Sequence, residues 1–256
     1  MKQNVVLKLA YDGSSFFGWQ KTTSGNSIEG TLQTCLERIL QESISLQAAS
    51  RTDRGVHAEG QWVNFYTEKK MSFGELQKGL NALLPTTIRV LSIYSAPLFF
   101  HPTLHAQKKE YHYHLCYGPL QLPNVRLYSL HVPYHLDIKK MVSASDHFLG
   151  EHDFSSFCNF RKNLHYKDKI RRIDSIEILN PHEGTLIFSL QGNHFLYKMV
   201  RNIVGTLIYV GRGKIGPETI PSLLDKRSRQ VAGMTAPAHG LTLKKIYYPQ
   251  EFKLPI

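Results

Sequence analysis

The apolar positions in the first hundred residues recur with two different periods. Residues 5–10 are predicted as a strand, in which the polar Lys8 alternates with Leu7 and Leu9, and they end at the turn sequence Tyr11-Asp12-Gly13. After Ser27, a typical helix-capping residue, the apolar positions up to Leu40 follow a helical period. A strand, a helix and a strand are then predicted at residues 62–66, 73–84 and 88–95. The connections are too short to separate domains, so the pattern predicts one β-α-β-α-β half.

The second half of the chain repeats this pattern loosely. Strands are predicted at residues 111–117, 171–179, 185–191 and 241–248, and helices at residues 138–149 and 196–210. The apolar residues of the last helix share one face, which consists of Leu196, Met199, Val200, Ile203 and Leu207. We expect its polar residues to point elsewhere, namely Lys198, Arg201 and Asn202. Two mixed α/β halves are therefore predicted, residues 1–105 and 106–256.

The charge of the chain favours a polyanionic partner. Its 31 Lys and Arg residues exceed its 20 Asp and Glu residues, which gives a formal charge of +11 and a pI near 9.5. Nucleic acid is the commonest partner for such a surplus, although a soluble protein can also simply be basic. Three scattered cysteines, no signal-peptide core and no apolar run of about 18 residues predict a cytoplasmic protein without a membrane span.

The most unusual local string surrounds Asp53. Residues two apart share a face in extended backbone, so Arg51 and Asp53 are expected to project together, and Gly55 allows a sharp turn after them. A carboxylate among cations favours its ionised form. By residue type alone, a polar turn with a surface ion pair is the favoured explanation of the string. Asp53 with His57 also suggests a hydrolytic pair, but no nucleophile motif accompanies it.

Metal and cofactor sites are not predicted. His112, His114 and Cys116 fall on one face of a single strand, where neighbouring ligands stand about 7 Å apart, too far for bonds of about 2 Å to one ion. Acidic residues are too dispersed for a two-metal nuclease. The sequence contains no glycine-rich nucleotide-binding motif.

Basic and aromatic residues are interleaved in two places that are typical of RNA contacts. One is a cationic stretch able to follow a phosphate backbone, with Arg161, Lys162, Lys167 and Lys169 as its candidates. The other is the strand carrying Tyr111, whose ring suits either base stacking or the core.

Taken together, these strings resemble the TruA family of tRNA pseudouridine synthases along nearly the whole chain. The matching strings are Tyr11-Asp12-Gly13, Phe17-Gly18-Trp19-Gln20, Arg51-Thr52-Asp53, Gly55-Val56-His57-Ala58, Phe100-His101, Lys109 with Tyr111, Phe195, Met199-Val200-Arg201-Asn202 and Gly240-Leu241. Each string is weak alone, but their order along the chain is highly specific.

The resemblance implies a role for each matching site residue. Asp53 would be the catalytic aspartate, Tyr111 the tyrosine stacking on the target base, and Arg201 the cation pairing with the aspartate. Arg51 would help to hold the nucleotide out of the stack, and Leu241 would line the uracil pocket. His101 belongs to a string that implies a tRNA contact. The family usually has an arginine where this chain has Thr103, which puts one phosphate contact in doubt. We expect little consequence from Arg54 and Ser50, where the family often has other residues.

The resemblance also implies a fold, a substrate and an assembly. It predicts an α+β protein with two RRM-like or ferredoxin-like halves that share a continuous antiparallel sheet, with flanking helices and a central cleft. Its substrates would be uridines at positions 38 to 40 of the anticodon stem-loop, and the enzyme would be a homodimer that binds tRNA.

The predicted reaction is an isomerisation that needs no cofactor. Asp53 could attack C1′ of the ribose, attack C6 of uracil, or remove the 2′ proton, and the sequence does not choose among them. A non-catalytic RNA-binding protein fits the charge and the aromatic strand, but it leaves a carboxylate in a cationic loop unexplained. A ribonuclease built on His57 lacks a second placed base.

Overall fold

The computed structural model describes residues 1–162 and 164–254, which form a mixed α+β fold. One sheet contains the ten described strands. The strands are β1 (Gln3–Tyr11), β2 (Gln47–Ala48), β3 (His57–Thr67), β4 (Ile88–Ala96), β5 (Lys108–Tyr117), β6 (Leu130–Val132), β7 (Gly150–Asp153), β8 (Ile170–Leu179), β9 (Thr185–Gly192) and β10 (Leu241–Tyr247). The α-helices are α1 (Ile28–Leu40), α2 (Phe73–Leu83), α3 (Ile138–Asp146), α4 (Met199–Gly211) and α5 (Ile220–Asp225).

The first compact unit comprises residues 1–109 and 242–256. Its strands lie in the order β4-β1-β3-β10, and the short β2 pairs with β3. β1 is antiparallel to both of its neighbours, whereas β10 runs parallel to β3 and pairs Thr242 with His57. Ser27 caps α1 by accepting the Gly30 N–H, as its place before the apolar stripe predicts. The apolar stripe of α1 is buried, so this helix covers the core of the unit.

The second compact unit comprises residues 110–241. Its strands lie in the order β5-β9-β8-β7, with β6 parallel to β5 and the pairs β7–β8 and β8–β9 antiparallel. α4 begins three residues later than the apolar pattern predicts, because Lys198 adopts a left-handed conformation with φ 62°. The helix is buried on nearly all sides, and Asn202 is fully buried. The prediction that Asn202 points away from the packed face is therefore wrong.

The predicted fold class is confirmed as a mixed α+β fold with one large sheet. Two pairings, β3 with β10 and β5 with β6, are parallel within this mainly antiparallel arrangement. The structure divides the chain differently from the predicted halves of residues 1–105 and 106–256. The division falls within β5, and the last strand returns to the first unit because it pairs with β3.

Candidate active site

Asp53 lies in a loop that joins β2 to β3, and we call residues 49–56 the Asp loop. The side chain of Thr52 is buried and that of Asp53 is half-buried, while Arg51 and Arg54 are exposed. The two cations therefore flank the carboxylate in sequence and face solvent. The loop contributes one acidic side chain in a cationic surface segment, as its sequence predicts.

Side chains from elsewhere in the first unit hold the backbone where it enters the Asp loop. The Thr103 hydroxyl donates to the carbonyl of Ala48 at 2.6 Å, and the Lys109 ammonium donates to the carbonyl of Ala49 at 2.7 Å. Thr103, at the position where the family resemblance suggests an arginine, thus hydrogen-bonds to the backbone just before the Asp loop.

Lys109 is an unusual support for this loop because it is only 7% exposed. Burial lowers the pKa of its ammonium group to about 8, from a usual value of 10.5. Burying a cation is costly unless a partner compensates for its lost hydration, so the bond to the Ala49 carbonyl matters for the charged form. The Lys109 ammonium therefore anchors the first residue of the Asp loop.

Two further residues hold the middle of the Asp loop. Gln61 of β3 donates to the carbonyl of Ser50 at 2.6 Å, and the Ser50 N–H donates back to the Gln61 amide oxygen at 3.2 Å. The hydroxyl groups of Tyr11 and Thr52 are 2.8 Å apart, and both side chains are buried. Because these groups are buried, losing either partner removes a hydrogen bond that water cannot readily replace.

The segment after β1 packs directly against the backbone on both sides of Asp53. The Trp19 N–H donates to the carbonyl of Thr52 at 3.0 Å. Gly18 has φ 93°, and a Cβ there would come within 2.8 Å of the same carbonyl oxygen. Glycine meets both demands because it has no side chain and tolerates positive φ. The string Phe17-Gly18-Trp19-Gln20 therefore acts as a backbone support for the Asp loop.

The exit of the loop is fixed by the turn at Tyr11-Asp12-Gly13. The Val56 N–H donates to the carbonyl of Asp53 at 3.1 Å, which closes a turn around the carboxylate. His57 Nδ1 lies 3.1 Å from the Gly13 nitrogen and 3.2 Å from Asp12 Oδ1. A Cβ on Gly13 would lie 2.0 Å from the Val56 oxygen, so only glycine fits there. His57 is 3% exposed and serves this buried junction, which argues against a ribonuclease built on its ring.

The second unit contains the other predicted uridine-binding residues. Tyr111 of β5 is 7% exposed, and its ring meets Phe195 edge-on with centroids 5.2 Å apart. Leu241 is also buried, at the start of β10. The residue before it, Gly240, packs closely against Tyr113. A Cβ at position 240 would lie 2.6 Å from the tyrosine ring.

Arg201 is tied to the segment that leads to Leu241. Its Nε donates to the carbonyl of Ala236 at 2.7 Å, and the Ala236 N–H donates to the carbonyl of Arg201 at 3.0 Å. Burial raises the pKa of the Tyr113 hydroxyl, whereas the positive charge of Arg201 acts in the opposite direction. The helix start, the tyrosine strand and this segment are thus neighbours within the second unit.

Asn202 organises the same helix start from inside. Its side-chain oxygen accepts from Thr235 at 2.7 Å and from Arg229 at 2.9 Å, while its nitrogen donates to the carbonyl of Phe157 at 2.7 Å. These bonds explain why a polar residue is fully buried next to Arg201, since every hydrogen-bonding group has a partner. Sequence reasoning missed this role, although an asparagine inside an otherwise apolar helix is a usable signal.

The predicted tRNA-contacting residues have different surroundings. His101 is partly buried, and its Nδ1 accepts the Thr103 N–H at 3.1 Å, which gives the ring a structural bond. Desolvation by burial is the main cause that lowers the pKa of His101, and the nearby His105 lowers it further. The cationic stretch lies in the second unit, with exposed Arg161, Lys162 and Lys167 and partly buried Lys169.

The described residues also bear on metal binding and on membrane insertion. Within residues 1–162 and 164–254, no group of three or more His, Cys, Asp or Glu side chains is arranged to hold a metal ion. The helices of that same part of the chain are all too short or too polar to cross a membrane.

The predicted site residues are divided between the two compact units. Arg51, Asp53 and His101 belong to the first unit, whereas Tyr111, Arg201 and Leu241 belong to the second. The pairing of Asp53 with Arg201 and the stacking of Tyr111 on a base therefore stay predictions. Lys109 and Gln61 received no role from sequence reasoning. The signal for both was a polar side chain on the buried face of a strand.

Comparison with known proteins gives consistent matches over most of the chain. The family model described as tRNA pseudouridine synthase matches residues 9–103 and 144–249. The tRNA pseudouridine synthase A 2 of Protochlamydia amoebophila is 56% identical over 249 residues, covering 96% of this chain and 94% of that protein. The tRNA pseudouridine synthase A of Chlamydia muridarum is 37% identical, covering 98% and 94%. The solved Cbf5-Nop10-Gar1 complex covers 96% of this chain and 58% of its own, with a TM-score of 0.38 and 12% identity.

Proposed function

Because this chain belongs to the family of tRNA pseudouridine synthases, of the A type, we propose that it acts on the anticodon stem-loop with Asp53 as its essential carboxylate. The proposed targets are uridines at positions 38 to 40. The observation that carries the proposal is the Asp loop, where buried side chains of several strands hydrogen-bond to backbone carbonyls and to the Thr52 hydroxyl close to one half-buried carboxylate.

The family reaction is the isomerisation of uridine to pseudouridine in tRNA. The bond between N1 of uracil and C1′ of ribose breaks, the base turns, and a bond forms between C5 and C1′. The hydrogen on C5 leaves as a proton, and N1 of the base gains one. Atoms and electrons therefore balance without an oxidant, a reductant or an added group, and we propose that no cofactor takes part.

Asp53 supplies a negative charge that can act on the electron-deficient sugar or on the base. A carboxylate can attack C1′, as in retaining glycosidases, attack C6 of uracil, or remove the 2′ proton. Each role requires that the carboxylate keep its position while the base turns. The bonds to Ala49, Ser50 and Thr52 support this requirement, since they fix the loop backbone on either side of Arg51 and directly before Asp53.

The proposed binding residues complete the site around the flipped base. Tyr111 stacks on the base, Leu241 lines the uracil pocket, Arg201 pairs with Asp53, and Arg51 holds the nucleotide out of its stack. The exposure of Arg51 supports its role, because a solvent-facing cation can reach RNA. The edge-on contact of Tyr111 with Phe195 supports a fixed ring orientation for stacking. Extracting a base costs a few kcal/mol, which contacts to the RNA backbone must offset.

The proposed tRNA-binding surface includes His101 and the cationic stretch of the second unit, with Arg161, Lys162, Lys167 and Lys169. The exposure of three of these cations and the net charge of +11 support it. A homodimer in the cytoplasm is proposed from the family resemblance. Light scattering should therefore give twice the chain mass of 29.3 kDa, and a monomeric mass with full activity contradicts the dimer.

The decisive experiment compares Asp53→Asn with the wild type. The substitution keeps the shape of the side chain but removes its negative charge, so isomerisation should be abolished. Binding should stay within about tenfold, equivalent to about 1.4 kcal/mol, because phosphate contacts dominate affinity. Tritium release from tRNA labelled at C5 of uridine reports the reaction, and filter binding at fixed salt reports the affinity.

The exposed Asp146 at the end of α3 provides the matched control. Asp146→Asn makes the same change of charge outside the Asp loop and should behave as the wild type. Release at the wild-type rate from Asp53→Asn removes the catalytic assignment. Loss of both release and binding, with an unchanged circular dichroism spectrum, makes Asp53 a structural residue instead.

A further inference from the structure

Arg54 makes a contact that its position in the sequence does not suggest. Its guanidinium carbon lies 4.1 Å from the centroid of the Phe17 ring, in the range of a cation–π contact. Arg54 is exposed, and Phe17 retains 37% of its accessible surface. The pair therefore forms a cationic and aromatic surface at the residue that follows Asp53 in the chain.

The ring of Phe17 is itself held in place, which makes it a fixed platform. Its backbone N–H donates to the carbonyl of Asn26 at 2.9 Å. The ring packs against Gly25, where a Cβ would lie 2.6 Å from a ring carbon. Gly18, the next residue, packs its backbone against that of Thr52 to Arg54. The platform and the Asp loop are thus one connected local structure.

The guanidinium has no carboxylate partner among the ion pairs of the described residues. A guanidinium held over a ring at this distance keeps N–H groups that can donate to an anion, and its fork geometry suits bidentate binding of a phosphate. The contact with the ring also restricts the side chain before binding, so less entropy is lost when the phosphate arrives.

We propose that Arg54, oriented by Phe17, binds a backbone phosphate of the tRNA next to the target uridine. This inference rests on the proposed function, since it gives the Asp loop a second task. Asp53 acts on the nucleotide, while the following residue holds the strand from which that nucleotide is extracted. The sequence expectation that Arg54 has little consequence is replaced by a specific binding role.

The test measures tRNA affinity as a function of salt for Arg54→Ala, Arg54→Lys and Phe17→Leu. Arg54→Ala should weaken binding by about 5- to 10-fold and reduce the slope of log affinity against log salt by about 0.7 to 0.9, as expected for one lost phosphate contact. Arg54→Lys retains the charge but not the fork geometry, so it should keep the wild-type slope with about a twofold loss.

Phe17→Leu tests the platform rather than the charge. It should weaken binding by about two- to fourfold in the wild type, but should add nothing in the Arg54→Ala background, because the oriented guanidinium is already absent. Arg38, an exposed arginine in α1, is the charge-matched control, and Arg38→Ala should bind within about twofold of the wild type.

Three outcomes overturn the proposal. Equal effects of Arg54→Ala and Arg38→Ala reduce the contact to general surface charge. A loss of affinity at unchanged salt slope assigns the platform to a base instead of a phosphate. Additive losses from Phe17→Leu and Arg54→Ala show that the two side chains act separately. Tritium release by the wild type is measured in parallel, so failure of the proposed reaction is seen independently of failure of this contact.

Discussion

The buried hydroxyl pair of Tyr11 and Thr52 should couple the stability of the first unit to the position of the Asp loop. The two oxygens are 2.8 Å apart, and the residues are 5% and 8% exposed. Tyr11→Phe removes one partner and leaves the Thr52 hydroxyl without this bond. Thr52→Val does the converse with little change in shape. Leaving the buried Thr52 hydroxyl unsatisfied should cost Tyr11→Phe about 1 to 3 kcal/mol of unfolding free energy. Thr52→Val should lose about 1 kcal/mol, because the Tyr11 hydroxyl still accepts from the Gln61 amide at 3.4 Å.

The double variant separates this bond from other effects. With both hydroxyl groups absent, neither member of the pair is left unsatisfied by loss of the other, so the double variant should lose about as much as Tyr11→Phe alone. The coupling free energy should therefore be about 1 kcal/mol. Activity should fall as well, because Thr52 directly precedes Asp53. A displacement of about 1 Å at a reacting group can cost up to about 100-fold in rate, so kcat should fall by about 10- to 100-fold while tRNA affinity stays within about threefold.

The assay combines urea unfolding, followed by circular dichroism, with single-turnover tritium release for all four proteins. Tyr66→Phe is the matched control, since its hydroxyl donates to the carbonyl of Leu98 at an exposed site outside the loop. It should cost less than about 1 kcal/mol and leave kcat unchanged. Additive losses within about 0.5 kcal/mol refute the coupling. Wild-type kcat in both single variants refutes the idea that this bond positions Asp53.

Two further predictions concern Tyr111 and Lys109. Tyr111→Phe keeps the stacking face and should retain tRNA affinity, whereas Tyr111→Leu should lose about 1 to 3 kcal/mol of binding free energy. If both variants are fully active, the Tyr111 ring does not stack on the target base. The pKa of Lys109 is lowered to about 8 by burial, so between pH 8 and about 10.4 the unfolded chain binds a proton that the folded chain does not. The unfolding free energy of the wild type relative to that of Lys109→Met should therefore rise with pH in that window, by up to about 3 kcal/mol. Urea unfolding at several pH values measures this difference. A difference in unfolding free energy that does not change with pH contradicts the lowered pKa of Lys109.

Local pattern determined much of this protein. The capping serine and apolar period of α1 predict its bounds of Ile28–Leu40, because helix capping and side-chain spacing act over a few residues. The sequence likewise predicts the ends of β1, β4 and β9 to within one or two residues. The order of the motif strings identified the family, which the comparisons confirm.

Only tertiary structure decided how distant polar groups satisfy one another. The sequence contains Thr103, Lys109 and Gln61, but nothing in their spacing says that three successive carbonyls, from Ala48 to Ser50, receive their hydrogen bonds. The return of β10 to pair with β3 is a similar case. Both depend on backbone groups brought together across tens to hundreds of residues, and the cost of leaving buried polar atoms unpaired selects their partners only once the chain has folded.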